Sequence, residues 1–129
     1  MKKVLVIAAH PDDEVLGCGG TMARDAAEHD VRILILGEGL TSREPVRAHV
    51  AAGALDALRS DAERAAAVVG ARSVEFGGLP DNRFDTLALL DVVKLVEGVI
   101  GRVQPDMILT HHPGDLNVDH GVTFRAVLT

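Results

Sequence analysis

Val4-Leu5-Val6-Ile7-Ala8-Ala9-His10-Pro11-Asp12-Asp13-Glu14 is the stretch from which the rest of the chain is read. Its first six residues form an unbroken apolar run rich in β-branched side chains, as in a parallel-sheet strand covered on both faces. Pro11 ends that strand. An imidazole and three carboxylates fall within the last five residues, too much polarity for packing to explain, and they mark the edge of a site.

Downstream, Asp12 or Asp13 is suited to cap a helix reaching about Glu28, and Gly17, Gly19 and Gly20 let that helix lie close to the sheet. Val31 to Leu36 repeats the apolar pattern and runs into the polar loop Gly37 to Arg43. An Ala-rich helix is expected from Pro45 to Val69, divided near Gly53 and closed by Gly70. Ser73 to Phe76 reads as a short strand, Gly77 to Asn82 as a loop, and Leu87 to Val103 as a helix with Val92, Val93, Val96 and Val99 at helical spacing. Met107 to Thr110 is a fourth strand. A second polar cluster, His111-His112-Pro113-Gly114-Asp115-Leu116-Asn117-Val118-Asp119-His120, precedes a last helix expected from Gly121.

Strands alternating with helices predict an α/β fold: a Rossmann-like three-layer sandwich on a mainly parallel sheet in the order 3-2-1-4. That order makes the first and fourth strands neighbours where the winding reverses, and ligands bind at the carboxyl ends of the strands there. His10 and the His111–His120 cluster, about a hundred residues apart, therefore converge on one crevice.

The chain has 129 residues, a single-domain length spanning residues 1–129, with 47% hydrophobic and 25% charged residues. A formal net charge of −6, no basic block and only three aromatic residues, Phe76, Phe84 and Phe124, argue against a nucleic-acid or anionic-membrane partner. Cys18, the lone cysteine, can form no intrachain disulfide and reads as a small packed residue. The apolar stretch after Met1 is too short for a signal segment or a membrane span, so a cytoplasmic protein is expected. Oligomeric state is left open, a homo-oligomer included.

His10, one Asp of the pair and His120 would give a divalent metal two imidazoles and a carboxylate, with room left for water. The other Asp could then act as general base. Taken singly, the Asp pair reads as a helix cap and dipole partner and His120 as an exposed helix residue; their convergence at the switch point favours the metal. Zinc suits this donor set, and so does Fe²⁺. His29 and His49 read as surface residues. His111 and His112 alternate in direction, and of the two His112 is assigned to the site. Arg43 and Arg83 could clamp a phosphate or carboxylate, or lie solvated on the surface.

These residues resemble the PIG-L/LmbE family of zinc-dependent N-deacetylases. The likeness rests on Ala9-His10-Pro11-Asp12-Asp13-Glu14, Gly17-Cys18-Gly19-Gly20-Thr21, Leu36-Gly37-Glu38-Gly39 and Asp119-His120. It implies His10, Asp13 and His120 as zinc ligands, Asp12 as general base, and Asp119 as the carboxylate that orients His120. It further implies removal of the N-acetyl group from an N-acetylated amino sugar, sugar conjugate or sugar nucleotide. Where many members carry His-Pro-Asp-His, this chain has Asn117-Val118-Asp119-His120, so His112 or a recycled Asp12 is expected to protonate the leaving amine, with Asn117 only able to donate a hydrogen bond. Family domains are longer, and the chain is expected to be incomplete at its C-terminus. Three other functions compete: a catalytically silent metal-binding or assembly protein, a ferrous oxygenase, whose metal two histidines and a carboxylate also suit, and a dinucleotide-binding module. The last fails because the glycine segment begins seven residues after His10 and lacks the G-x-G-x-x-G spacing.

Overall fold

The computed structural model describes residues 1–129, in which four strands alternate with four α-helices. β1 (Lys3–Ala8) pairs in parallel with β2 (Asp30–Gly37) on one side and β4 (Met107–Leu109) on the other, while β3 (Ser73–Leu79) pairs with β2. The order is β3-β2-β1-β4, the expected one. Val4 lies opposite both Val31 and Met107, so β1 is the central strand at the point where the winding reverses.

Alternation along the strands builds the three layers. Val4, Val6, Val31, Ile33 and Ile35 face Met22 of α1 (Asp13–Asp25) and Ala62 and Ala66 of α2 (Ala52–Val69). Leu5, Ile7, Leu34 and Leu36 face Val92, Val96 and Val99 of α3 (Leu89–Val103) and Ala126 of α4 (Val118–Leu128). Each fully buried aliphatic side chain contributes about 1.5–3 kcal/mol. Ala62 and Ala66 let α2 pack on this face, and the Cys18 side chain of α1 packs there as a small hydrophobe. The expected role of Gly17, Gly19 and Gly20 does not hold: a Cβ on Gly17 or Gly20 would meet no atom within 4 Å and one on Gly19 only Val15 of the same helix, because these glycines do not face the sheet.

Three expected boundaries move. The helix expected from Pro45 begins at Ala52, and the segment before it makes two 3₁₀ turns, Thr41–Arg43 and Arg47–His49. β3 extends through Gly77 and Gly78 to Leu79 instead of ending at Phe76. Gly77 is there for proximity, since a Cβ on it would lie 2.7 Å from the Leu36 carbonyl oxygen beside an irregularity in the β2–β3 register, and Gly78 for its φ of 68°. α4 begins three residues before Gly121, because the Asn117 side chain caps it. Asp119 and His120 thus sit on a helical first turn, whose pitch fixes the angle between them.

Candidate metal centre

His10 leaves the end of β1, and the turn after it is closed from within: its N–H donates to Asp13 Oδ2 at 2.9 Å, and its carbonyl accepts the Asp13 N–H at 3.2 Å. His120 arrives on the first turn of α4, from the strand on the other side of the switch point. His10 Nδ1 lies 3.2 Å from Asp13 Oδ2 and 3.2 Å from His120 Nε2, and His120 Nε2 lies 3.0 Å from Asp13 Oδ2. Three candidate ligand atoms therefore form a nearly equilateral triangle.

The protons of the two rings are assigned by their other ends. His10 Nε2 is 2.8 Å from Asp119 Oδ2, and His120 Nδ1 is 2.7 Å from Asp115 Oδ2. The shorter carboxylate contact of each ring, to Asp119 and to Asp115, holds the proton of the neutral imidazole, which turns the lone pairs of His10 Nδ1 and His120 Nε2 toward Asp13. With both rings neutral, two lone pairs and the Asp13 carboxylate face one another, an arrangement that takes up a cation: a proton on His10 in the metal-free chain, or a metal ion that displaces it. Two ligands of a tetrahedral zinc site with bonds of about 2.0–2.1 Å stand about 3.3 Å apart, close to the triangle's sides. His10 with Asp81 and Asp119, and His111 with Asp115 and His120, are also close enough to share an ion. In those groupings the ring nitrogens are already the donors to Asp119 and Asp115, so they are histidine–carboxylate pairs supporting the central triangle.

Asp119 is fully buried and is the keystone of the support. Its Oδ2 accepts from His10 Nε2 and from the Asn82 N–H at 2.6 Å, and its Oδ1 accepts from the Phe84 N–H at 3.0 Å. The expected pairing of Asp119 with His120 is thus replaced: Asp119 orients His10, and Asp115 orients His120. Phe84, buried on the sheet, anchors the turn that presents both backbone donors.

Electrostatics follow the geometry. Burial opposes the charged form of His10, but hydrogen bonds and charges from Asp119 and Asp13 outweigh it and push the ring up to about 10. Burial alone would raise Asp13; the His10 and His120 contacts hold it below its ordinary value. Asp12 is raised, by burial first and then by the Asp13 charge. His111 is lowered, by burial and then by His120. Because the folded His10 lies above its unfolded value of 6.5, its protonation stabilises the metal-free fold fully below pH 6.5, and that contribution is lost as pH rises through about 10. With chelator, the thermal midpoint should therefore fall across that window, and zinc, which displaces the proton, should flatten the profile. A profile equally flat with and without metal would contradict the coupling.

Asp12 stands at the mouth of a cleft of about 260 Å³ lined also by His10, Ser42, Arg43, Asp81 and Asn82. One wall is braced by Glu38, which accepts from Thr41 Oγ1 at 2.8 Å and pairs with Arg47, and by Asp81, which accepts from Ser42 Oγ at 2.6 Å. Two residues expected at the reacting centre have other tasks, although Asn117 lines the same cleft as Asp12. Asn117 Oδ1 caps α4 by accepting from the N–H groups of Asp119 and His120, and its Nδ2 donates to Asn82 Oδ1 at 3.2 Å. His112 is exposed, its Nδ1 accepting the Gly114 N–H at 2.9 Å. His111 is the inward member of the pair: its Nε2 accepts the Ala9 N–H at 2.9 Å and its ring stacks on His120 with centroids 3.9 Å apart. Asp115 and His111 were visible as polar residues of the second cluster, but only the early start of α4 gives them their partners.

Comparison with known proteins shows the family and the fold. Residues 5–129 match the family described as PIG-L: GlcNAc-PI de-N-acetylase. A 1D-myo-inositol 2-acetamido-2-deoxy-alpha-D-glucopyranoside deacetylase from Rhodococcus erythropolis is 34% identical over 156 residues, covering 98% of this chain and 53% of the relative. The Thermobifida fusca protein of the same description is 31% identical, covering 97% and 54%. The chain spans about half the length of these relatives. Among solved structures, 4-carboxy-2-hydroxymuconate hydratase from Pseudomonas putida KT2440 superimposes with a TM-score of 0.81 at 30% identity, over 99% of this chain and 55% of the hydratase. The N,N'-diacetylchitobiose deacetylase of Pyrococcus horikoshii, at 24% identity and a TM-score of 0.81, shares the fold over 98% of this chain and 48% of its own. No helix among the described residues is long and apolar enough to cross a membrane.

Proposed function

The chain belongs to the PIG-L family, and from that membership and the site geometry we propose that it is a zinc-dependent N-deacetylase of the cytoplasm, acting on a small N-acetylated amino sugar or a conjugate such as a sugar nucleotide. The observation that carries this reading is the triangle of His10 Nδ1, Asp13 Oδ2 and His120 Nε2, each ring backed by its own carboxylate, with Asp12 beside it on the cleft. The curated relatives' acetamido-sugar substrate supplies the substrate class.

His10, Asp13 and His120 would hold the ion, which when bound supplies Lewis acidity toward the acetamide carbonyl and brings a water within reach of deprotonation near neutral pH. Asp12 takes the proton from that water; its raised pKa places it closer to the pH at which a base and its conjugate acid both work. With His112 turned outward and Asn117 spent on the helix cap, Asp12 also returns the proton to the departing amine. Acetate and a free amine result. Asp119 and Asp115 hold the two rings in the tautomers that keep their lone pairs inward.

The test is amine and acetate release from N-acetylglucosamine, its 1-phosphate and its nucleotide conjugate by the zinc-loaded chain, with loss on chelation and recovery with zinc. Reconstitution with Fe²⁺ in parallel decides between the two metals. Zinc binding without release from any of these would favour the catalytically silent alternative. A second reading, water addition to an unsaturated carboxylate, is supported by the 30% identity to the hydratase. Loss of absorbance from a conjugated hydroxydienoate without amine release would decide for it.

Arg43 bears on selectivity. Eight of the ten arginines donate to a carboxylate or carbonyl or stack on Phe76, whereas Arg43 and Arg125 have no such partner among the described residues. Only Arg43 of these two lines the cleft. An anionic substituent on the sugar would meet it. Arg43→Gln is expected to lower kcat/KM for N-acetylglucosamine 1-phosphate by about tenfold, the scale of one charge-assisted hydrogen bond, and to leave neutral N-acetylglucosamine unchanged. Equal loss for both sugars would assign Arg43 to the scaffold.

A further inference from the structure

Glu14 is the one member of the first polar cluster to which the chemistry above gives no task. It lies in the first turn of α1 and is 2% exposed, less than any other carboxylate here except Asp119. Its side chain turns back along the chain, and Oε2 accepts the backbone N–H of Asp12 at 2.9 Å. Asp12 itself has φ 110° and ψ −28°, a backbone conformation that costs a side-chain-bearing residue free energy and persists only where neighbouring contacts hold it. The Asp12 side chain makes no capping bond to the helix that starts beside it, although a residue at that position ordinarily does. Its carboxylate is left over for the cleft while its backbone is held from below.

We propose that Glu14 is the positioning residue for Asp12: its buried carboxylate holds the Asp12 N–H, locking the left-handed turn that presents the Asp12 carboxylate to the cleft. The Asp12 carbonyl, accepting from the N–H groups of Val15 and Leu16 at 3.0 and 2.9 Å, secures the other side of the same residue. Released from Glu14, Asp12 can relax toward an ordinary helix-capping conformation, in which its oxygens turn to the α1 N–H groups and away from the cleft. The inference rests on the reading of Asp12 as general base for its catalytic consequence, but the backbone hold itself does not depend on it.

Two variants separate reach from charge. Glu14→Asp keeps the negative charge at the helix N-terminus and is one methylene too short to reach the Asp12 N–H; Glu14→Gln keeps the reach and an acceptor oxygen without the charge. The first measurement is amide hydrogen exchange at Asp12 in the full chain without metal. Exchange is expected to be about tenfold faster in Glu14→Asp than in the unaltered chain, and to return to the slow rate in Glu14→Gln. The second is turnover of N-acetylglucosamine by the zinc-loaded chain. Glu14→Asp is expected to lower kcat by about 10–100-fold with KM and zinc content unchanged, Glu14→Gln to recover most of that loss, and Glu14→Asp to have no further effect in an Asp12→Asn background. Unchanged Asp12 exchange in Glu14→Asp overturns the proposal, as does an equal kcat loss with Asp12 already replaced. If Asp12→Asn alone retains full activity, the general-base reading fails while the exchange data still decide the role of Glu14.

Discussion

Asp12→Asn is expected to lower kcat by about 10²–10⁴-fold, the range supplied by one well-placed general base, while leaving zinc content unchanged. The substitution is chosen because asparagine tolerates positive φ nearly as well as aspartate, so the turn at φ 110° survives and only the basicity is removed. His10, Asp13 and His120 keep their carboxylate and backbone partners, which do not include the Asp12 side chain. Asp12→Gly makes the complementary case. Glycine adopts this conformation without strain, so that variant should be more stable by about 1 kcal/mol and equally inactive. Gain of stability with loss of turnover would identify Asp12 as a residue whose backbone is strained in the service of its side chain. Zinc-loaded Asp12→Asn that releases amine at the unaltered rate would remove Asp12 from the reaction and with it the proposed proton path.

What could be read before the structure was whatever depends on periodicity. The apolar run Val4–Ala9 announces a two-sided strand because both of its alternating faces are covered, one by α1 and α2 and the other by α3 and α4. Once four such strands alternate with helices, the 3-2-1-4 order places His10 and His120 at one end of adjacent strands. Side-chain direction at close range was less legible. Nothing in the spacing of Asp119-His120 says which ring Asp119 faces; that is decided by α4 beginning at Val118, which points the two neighbours about 100° apart, Asp119 inward against His10 and His120 toward Asp13. The helix starts there because Asn117 caps it through its acceptor oxygen, and the sequence offers the donor end of the same amide just as readily. Gly77-Gly78 reads as a turn by composition but is a strand, since the contact with Leu36 that requires the missing Cβ of Gly77 lies 41 residues away in sequence.

Asp119→Asn is expected to have the largest effect on the site as a whole, because one carboxylate there serves three donors from two segments of chain. With no exposure, the Asp119 side chain accepts from His10 Nε2, the Asn82 N–H and the Phe84 N–H. Truncation to alanine would strand all three donors in the interior, at a cost of about 3–5 kcal/mol, a large part of the total stability of a domain this size. Asparagine keeps the volume and one acceptor oxygen, but its NH₂ must face either the Phe84 N–H or, together, His10 Nε2–H and the Asn82 N–H. His10 then loses the charge that fixes its tautomer, and Nδ1 is no longer reserved as a lone pair. Zinc affinity should fall by about 10–100-fold, the usual effect of removing a partner behind a liganding histidine. In the metal-free variant, the decline in stability between pH 6.5 and about 10 should shrink as well, since Asp119 is the foremost of the groups that raise His10. Titration with zinc and thermal unfolding at pH 7 and pH 9 measure both effects on one preparation. If affinity falls while the pH slope persists, Asp13 alone sustains the His10 proton; if neither moves, His10 is oriented by its ring packing near Phe84, 6.0 Å away, and the carboxylate behind it is incidental.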